Sequence, residues 1–182
     1  MEFLKRTWAE IDLDALKSNV AAIRSALPAG TGIIAVVKAD AYGHGDQYIA
    51  AELESLGIRF FAVSNLEEAL SLRRHGVAGE ILVLGPTPWR RAGDLAKYNI
   101  IQTVHSLPYA ESLSRQAARD GVTVRAHLKL DTGMGRIGFV IREDFDPRPE
   151  IRQAVALPGL RMEGVFSHFS SADDITEAGE GY

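Results

Sequence analysis

Ile33-Ile34-Ala35-Val36-Val37-Lys38-Ala39-Asp40-Ala41-Tyr42-Gly43-His44-Gly45 is an apolar, β-branched run that ends in one lysine and a glycine-rich turn. The apolar part reads as a buried strand. A lysine at the end of such a strand has its stem buried and its amine at the mouth of whatever the sheet builds. Desolvation there disfavours the ammonium form and lowers the pKa, so the amine becomes a usable base or imine-forming nucleophile. The other reading of this position is a strand-end lysine that snorkels its head into water.

Outward from this run, strands and helices alternate. Asp12 or Asp14 is expected to cap a helix over 15–27, ended by Pro28 and Gly30. The first strand is expected over 32–38, then a helix over 46–56 with Gly57 as its stop. A strand over 60–63 precedes a helix over 66–75 capped by Asn65, where Glu67 and Glu68 suit the positive end of the helix dipole. Strands over 81–84, 100–103, 122–130 and 160–166 follow, separated by helices over 88–97, 106–119 and 149–155. Strand then helix, repeated about six times with short links, is the pattern of a parallel sheet with helical crossovers. By itself it fits an open doubly wound sheet and a (β/α)8 barrel equally.

Composition narrows the function. The 182 residues are 46% apolar and 24% charged with a net charge of −4, which is ordinary for a soluble globular domain and argues against a nucleic-acid surface. The basic pairs Lys5-Arg6, Arg73-Arg74 and Arg90-Arg91 read as solvated faces. There is no cysteine, so disulfides and thiolate metal sites are excluded. Charges at Glu2, Lys5, Arg6 and Glu10 interrupt any signal-peptide core, and no apolar run approaches a membrane span. A cytoplasmic protein that meets neither membrane nor nucleic acid is expected. His44, His75, His105, His127 and His168 show no ligand spacing, so no metal site is expected. Gly133-Met134-Gly135-Arg136-Ile137-Gly138 has G-x-G-x-x-G spacing, yet it lies far from the first strand and runs into Phe139-Val140-Ile141 and then Pro147 and Pro149. A dinucleotide fingerprint must open a long helix, so that reading fails on context.

The run AVVKADAYGHG, Ala35 to Gly45, closely resembles the cofactor-binding segment of the bacterial alanine racemases, enzymes that use pyridoxal phosphate (PLP) on a barrel. Trp8 to Leu16 resembles the family's opening segment, and Gly85-Pro86-Thr87 and Val104-His105-Ser106 fall where it has similar short blocks. His127 to Phe139, HLKLDTGMGRIGF, and Gly164 to Phe169, GVFSHF, match two further blocks in the same order. The resemblance selects the barrel: α/β class, an incomplete (β/α)8 TIM-type barrel with about six βα units.

The resemblance also implies roles. Lys38 is the catalytic residue, forming the internal imine with the cofactor and exchanging the substrate's α-proton on one face. Tyr42 bonds the cofactor phosphate, Arg136 faces the cofactor's phenolic oxygen and the substrate carboxylate, and His168 packs beside the ring. Lys129 corresponds to a lysine that is carbamylated in some members. The expected activity is interconversion of L- and D-alanine for peptidoglycan, in a homodimer. A serine-preferring racemase of the same family and a non-catalytic PLP-binding homeostasis barrel are the alternatives. The family's second base is a tyrosine of the partner's C-terminal domain, which Tyr42, Tyr48, Tyr98, Tyr109 and Tyr182 do not match. Residues 1–182 are therefore expected to be the N-terminal part of the barrel domain. The last barrel units, the phosphate-binding loops and the β domain would lie beyond a truncated end at Tyr182. Self-association and negligible activity are expected of such a piece.

Overall fold

The computed structural model describes residues 7–172. Lys5-Arg6, Tyr182 and the chain end at Gly179–Tyr182, on which sequence readings were made, lie outside the described residues. The chain forms two compact units, residues 1–80 and 81–182.

The first unit opens with helix α1 (Leu13–Ala26). Asp12, and not Asp14, is its cap: one carboxylate oxygen accepts the amides of Asp14 and Ala15 at 2.9 Å each. Strand β1 (Ile34–Val36) pairs in parallel with β2 (Phe60–Val63), with Ile34 opposite Phe60 and Val36 opposite Ala62. Between them run a tight turn, α2 (Lys38–Gly43), and helix α3 (Asp46–Ser55). Helix α4 (Leu66–Arg74) follows β2 and begins where the Asn65 side chain accepts the Glu68 amide at 3.0 Å. Ala50, Leu53, Phe61, Val63, Leu66 and Leu72 are buried and supply the apolar contact that holds these helices to the strands.

The second unit contains all but the first residue of β3 (Glu80–Val83), a 3-10 turn over Trp89–Arg91, α5 (Ala92–Lys97), β4 (Ile100–Val104), α6 (Leu107–Arg119), β5 (Val124–Asp131), β6 (Phe139–Val140), α7 (Arg148–Val155) and β7 (Leu160–Phe166). β4 lies between β3 and β5, all parallel. On its other side β5 carries β7 along Val124–Lys129 and the short β6 at Leu130 and Asp131. β4 is buried along its whole length. Its two polar residues are bonded inward, Thr103 Oγ1 to the Val83 carbonyl at 2.7 Å and Gln102 Nε2 to the Gly85 carbonyl at 2.9 Å.

Alternating parallel strands and helices are as the sequence pattern predicts. Three details differ. The first strand is shorter than 32–38 and is not buried as expected: it stops at Val36, with Ile34 and Val36 exposed because only one of its edges is paired among the described residues, and Lys38 stands in the turn beyond it. The expected helix over 88–97 is a 3-10 turn followed by a shorter helix, because Pro88 precedes it in an extended conformation. The two-residue β6 has no counterpart among the strands expected from the sequence.

Candidate active site

In parallel α/β folds the chemistry gathers at the C-terminal ends of the strands. In the first unit that end of β1 leads straight into Lys38. The turn that follows is left-handed: Ala39, Asp40, Ala41 and Tyr42 have φ of 51°, 55°, 50° and 56°. No glycine stands among the four, so each sits where its Cβ crowds the following carbonyl, at roughly 1–2 kcal/mol per residue. A stretch of this kind persists only when its surroundings over-determine it.

The surroundings do so from several directions. The Ala41 amide donates to the Val37 carbonyl at 3.0 Å, and the Gly45 amide donates to the Asp40 carbonyl at 2.9 Å. The Asp40 carboxylate accepts the Asp46 amide at 2.8 Å and so joins the turn to α3. Gly43 and Gly45, both at positive φ, let the chain leave the turn and enter that helix. On the far side the Ala39 amide donates to Oε1 of Glu68 at 3.0 Å. The Lys38 ammonium lies 5.7 Å from the centre of the Tyr42 ring, and Tyr42 is itself 61% exposed.

The second unit builds its own cluster at the end of β5. Lys129 is only 7% exposed, donates to the Leu130 carbonyl at 2.6 Å, and lies 5.6 Å from the Phe166 ring. Burial pushes its amine below the ordinary lysine range, the attraction of Asp131 opposes this, and the Arg136 charge adds to it. Asp131 ends the strand and organises the loop that follows. One of its carboxylate oxygens accepts the Gly135 amide at 2.9 Å and the Gly133 amide at 3.2 Å. The Gly135 bond is the largest of the influences that hold this carboxyl below its usual range. Burial opposes, while Gly133, Lys129 and the Met134 amide assist.

Gly138 closes the loop. At φ 133° any Cβ would lie 2.8–2.9 Å from the backbone of Lys129, Leu130 and Asp131. Phe139 can therefore come back to pair with Leu130, and the glycine spacing serves a strand return and opens no helix. Arg136 is exposed on this loop. His168 is exposed two residues past the end of β7, whose Phe166 is opposite Lys129.

The structure thus places Lys38 and Tyr42 in one turn of the first unit. Within the second unit it brings Lys129 and the loop carrying Arg136 to the strand ends that also lead to His168. Sequence reasoning missed two organising residues, Glu68 and Asp131. Asn65-x-x-Glu68 is a capping-box spacing and could have drawn attention to the first. Among the described tyrosines, Tyr109 is unsuited to base chemistry: burial pushes its hydroxyl far up, and the bond with Thr87 lowers it only in part. That hydroxyl donates to the Thr87 carbonyl and accepts the Thr87 amide. Among the described residues no cluster of His, Cys, Asp and Glu could hold a metal, and no helix is long and apolar enough to cross a membrane.

Comparison with known proteins follows the same lines. Residues 11–180 match the family model described as alanine racemase, N-terminal domain. A curated alanine racemase of Desulfosudis oleivorans is 46% identical over 172 residues, covering 91% of this chain and 44% of that protein. An alanine racemase structure from Clostridium difficile 630 aligns with TM-score 0.90 at 37% identity, over 98% of this chain and 47% of the other. A histidine racemase structure from Leuconostoc mesenteroides aligns with TM-score 0.83 at 32% identity, over 92% of this chain and 44% of the other. The chain spans less than half the length of these relatives. With an α/β fold that matches the N-terminal part of their barrel, the chain belongs to the alanine racemase family.

Proposed function

We propose that the protein racemises alanine with PLP, and that Lys38 is the residue that binds the cofactor and moves the α-proton on one face of the substrate. The observation that carries this reading is the placement of Lys38 at the exit of β1, first in a left-handed turn held by hydrogen bonds within its own backbone, to α3 and to Glu68. The donor set suits PLP: a primary amine for its aldehyde, in no ion pair among the described residues, and the Tyr42 phenol close by as a donor to its phosphate. PLP, when bound, delocalises the electron pair left by a departing α-proton, which no amine could remove unaided. Lys38 Nζ would hold the cofactor through its aldehyde, and the same amine is placed to take or return the α-proton on one face of the substrate.

Arg136 has the planar guanidinium that would suit the cofactor's phenolic oxygen and the substrate carboxylate, and His168 would supply a partner for the ring. Lys129, with its depressed pKa, holds more neutral amine than an ordinary lysine, and this is the form that adds to CO2, losing one proton, to give a carbamate that would steer Arg136. A 13C signal from labelled bicarbonate, absent in Lys129→Met and growing as pH rises, is expected; its absence from the wild type would refute the modification. The protein is proposed to act in the cytoplasm as a homodimer, with the second base supplied by the partner and D-alanine passing to peptidoglycan. The 182-residue chain by itself is expected to racemise alanine negligibly. Alanine is favoured as substrate because the Desulfosudis and Clostridium relatives are alanine racemases, at higher identity than the Leuconostoc histidine racemase.

Borohydride reduction after incubation with PLP, followed by peptide mapping, tests the reading. A pyridoxyl group confined to Lys38 is expected. Label absent, or scattered over surface lysines, would refute it and leave the chain as scaffold.

A further inference from the structure

Glu68 is the third helical residue of α4, where a capping-box glutamate needs only to reach back to the start of its own helix. It does more than this. Oε2 accepts the Ser64 amide and the Ser64 hydroxyl, each at 2.8 Å, which secures the junction from β2 to α4. Oε1 accepts the amide of Ala39, a residue 29 positions earlier in the chain and directly after Lys38. Ala39 is exposed, so water could satisfy its amide; the bond is not needed for that purpose. What it supplies is a fixed direction for the first of four successive left-handed residues, none of which is glycine.

We propose that Glu68 is the positioning residue for Lys38: anchored by the first turn of α4, its carboxylate fixes the peptide that follows Lys38 and thereby the direction in which the Lys38 stem leaves β1. This rests on the reading of Lys38 as the cofactor lysine, and it adds a residue from the next βα unit to that site. Ionisation is what the arrangement requires, because every neighbour on the carboxylate is a donor. Hydrogen bonds from Ser64, Ala39 and Asn65 hold it below the usual carboxylate range against the opposing effect of burial. The titratable groups on the elements packed against α4 are Lys38, Asp40 and Tyr42 on α2 and Asp46, Tyr48, Glu52 and Glu54 on α3. Glu67, Arg73 and Arg74 share α4 itself, and β2 carries none.

The test uses Glu68→Ala against Ser64→Ala. Both weaken the start of α4, but only the first releases Ala39. Amide hydrogen exchange across 38–45 is measured without cofactor, and borohydride-trapped label is then mapped with PLP present. In Glu68→Ala, exchange is expected to rise about tenfold or more, as for the loss of one charge-assisted hydrogen bond. The share of label on Lys38 should fall several-fold in favour of other lysines. Ser64→Ala is expected to stay close to the wild type in both measurements. Glu68→Ala behaving as the wild type, or Ser64→Ala matching its losses, would overturn the proposal.

Should Glu68→Ala fail to fold, the wild type decides by NMR titration. The Ala39 and Ser64 amide resonances are expected to move with one common midpoint, the signature of a shared carboxylate that Asp40 could not give at Ser64. Separate midpoints, or an Ala39 resonance that does not move, would overturn it. Absence of any Lys38 adduct in the wild type would instead overturn the cofactor reading, while the cofactor-free exchange still reports whether the clamp exists.

Discussion

Asp131 and Glu68 share one arrangement, each in its own unit: a carboxylate that gathers backbone amides of the segment bearing a proposed site residue. Asp131 gathers the amides of Gly133 and Gly135 and so shapes the loop that carries Arg136. Hydrogen bonds to an ionised acceptor contribute about 1.5–3 kcal/mol, against about 1 for a neutral one. Asp131→Asn keeps an acceptor oxygen but loses the charge, and is expected to cost about 1 kcal/mol near pH 7 by urea unfolding. The pH dependence follows from a folded-state pKa lowered from 3.8. The contribution is fully present above the unfolded value and disappears as pH falls through the depressed folded one. The gap between wild type and Asp131→Asn should therefore narrow only below about pH 4. A gap that is constant down to acid unfolding would show that the charge is not what these amides recognise.

At the scale of elements, the left-handed turn α2 separates what the sequence could say from what it could not. Caps were legible from local chemistry: Asp12, one of the two candidates, opens α1, and Asn65 opens α4. The apolar runs at β2 and β7 were legible from residue type, and their bounds agree with the structure. The turn was not, because Ala-Asp-Ala-Tyr has no glycine to announce positive φ, and the fixing bond to Ala39 comes from Glu68 on another helix. β6 was equally hidden, since a two-residue strand exists only through pairing with Leu130 and Asp131. The position of Lys38 was legible only in part, because the strand ends at Val36 and the lysine stands in the turn beyond it. The strain in the turn leads to a prediction that runs against ordinary helix behaviour. Ala39→Gly removes a left-handed penalty of about 1–2 kcal/mol and adds about 0.5–1 of unfolded-chain entropy, so it should be neutral to stabilising by up to about 1.5 kcal/mol. Ala51→Gly, in the exposed interior of α3, should cost about 1 kcal/mol. Equal destabilisation by the two in denaturant unfolding would mean that the turn is not left-handed in solution.

For the molecule as a whole, the sheet edges decide how the chain behaves at concentration. Among the described residues β1 pairs only with β2, and β7 pairs only with β5, so each leaves one row of backbone donors and acceptors open. Both strands also expose large apolar side chains: Ile34 is 45% exposed, Val36 43% and Val165 60%. A buried strand of a parallel barrel is covered on both faces, and these side chains are of the type that such a covering would take. Open edges that carry β-branched residues, with no proline or lysine inside β1 or β7 to block pairing, invite another copy of the same chain. The 182-residue chain is therefore expected to self-associate, with a sedimentation coefficient that rises with protein concentration. Lysine at Val36 or Val165 places a charge on the exposed face without entering the core, and should shift the chain toward monomer while its helical circular dichroism is retained. A monomer at every concentration, folded and cooperative in unfolding, would show that the edges are already covered, and the association would have to be abandoned.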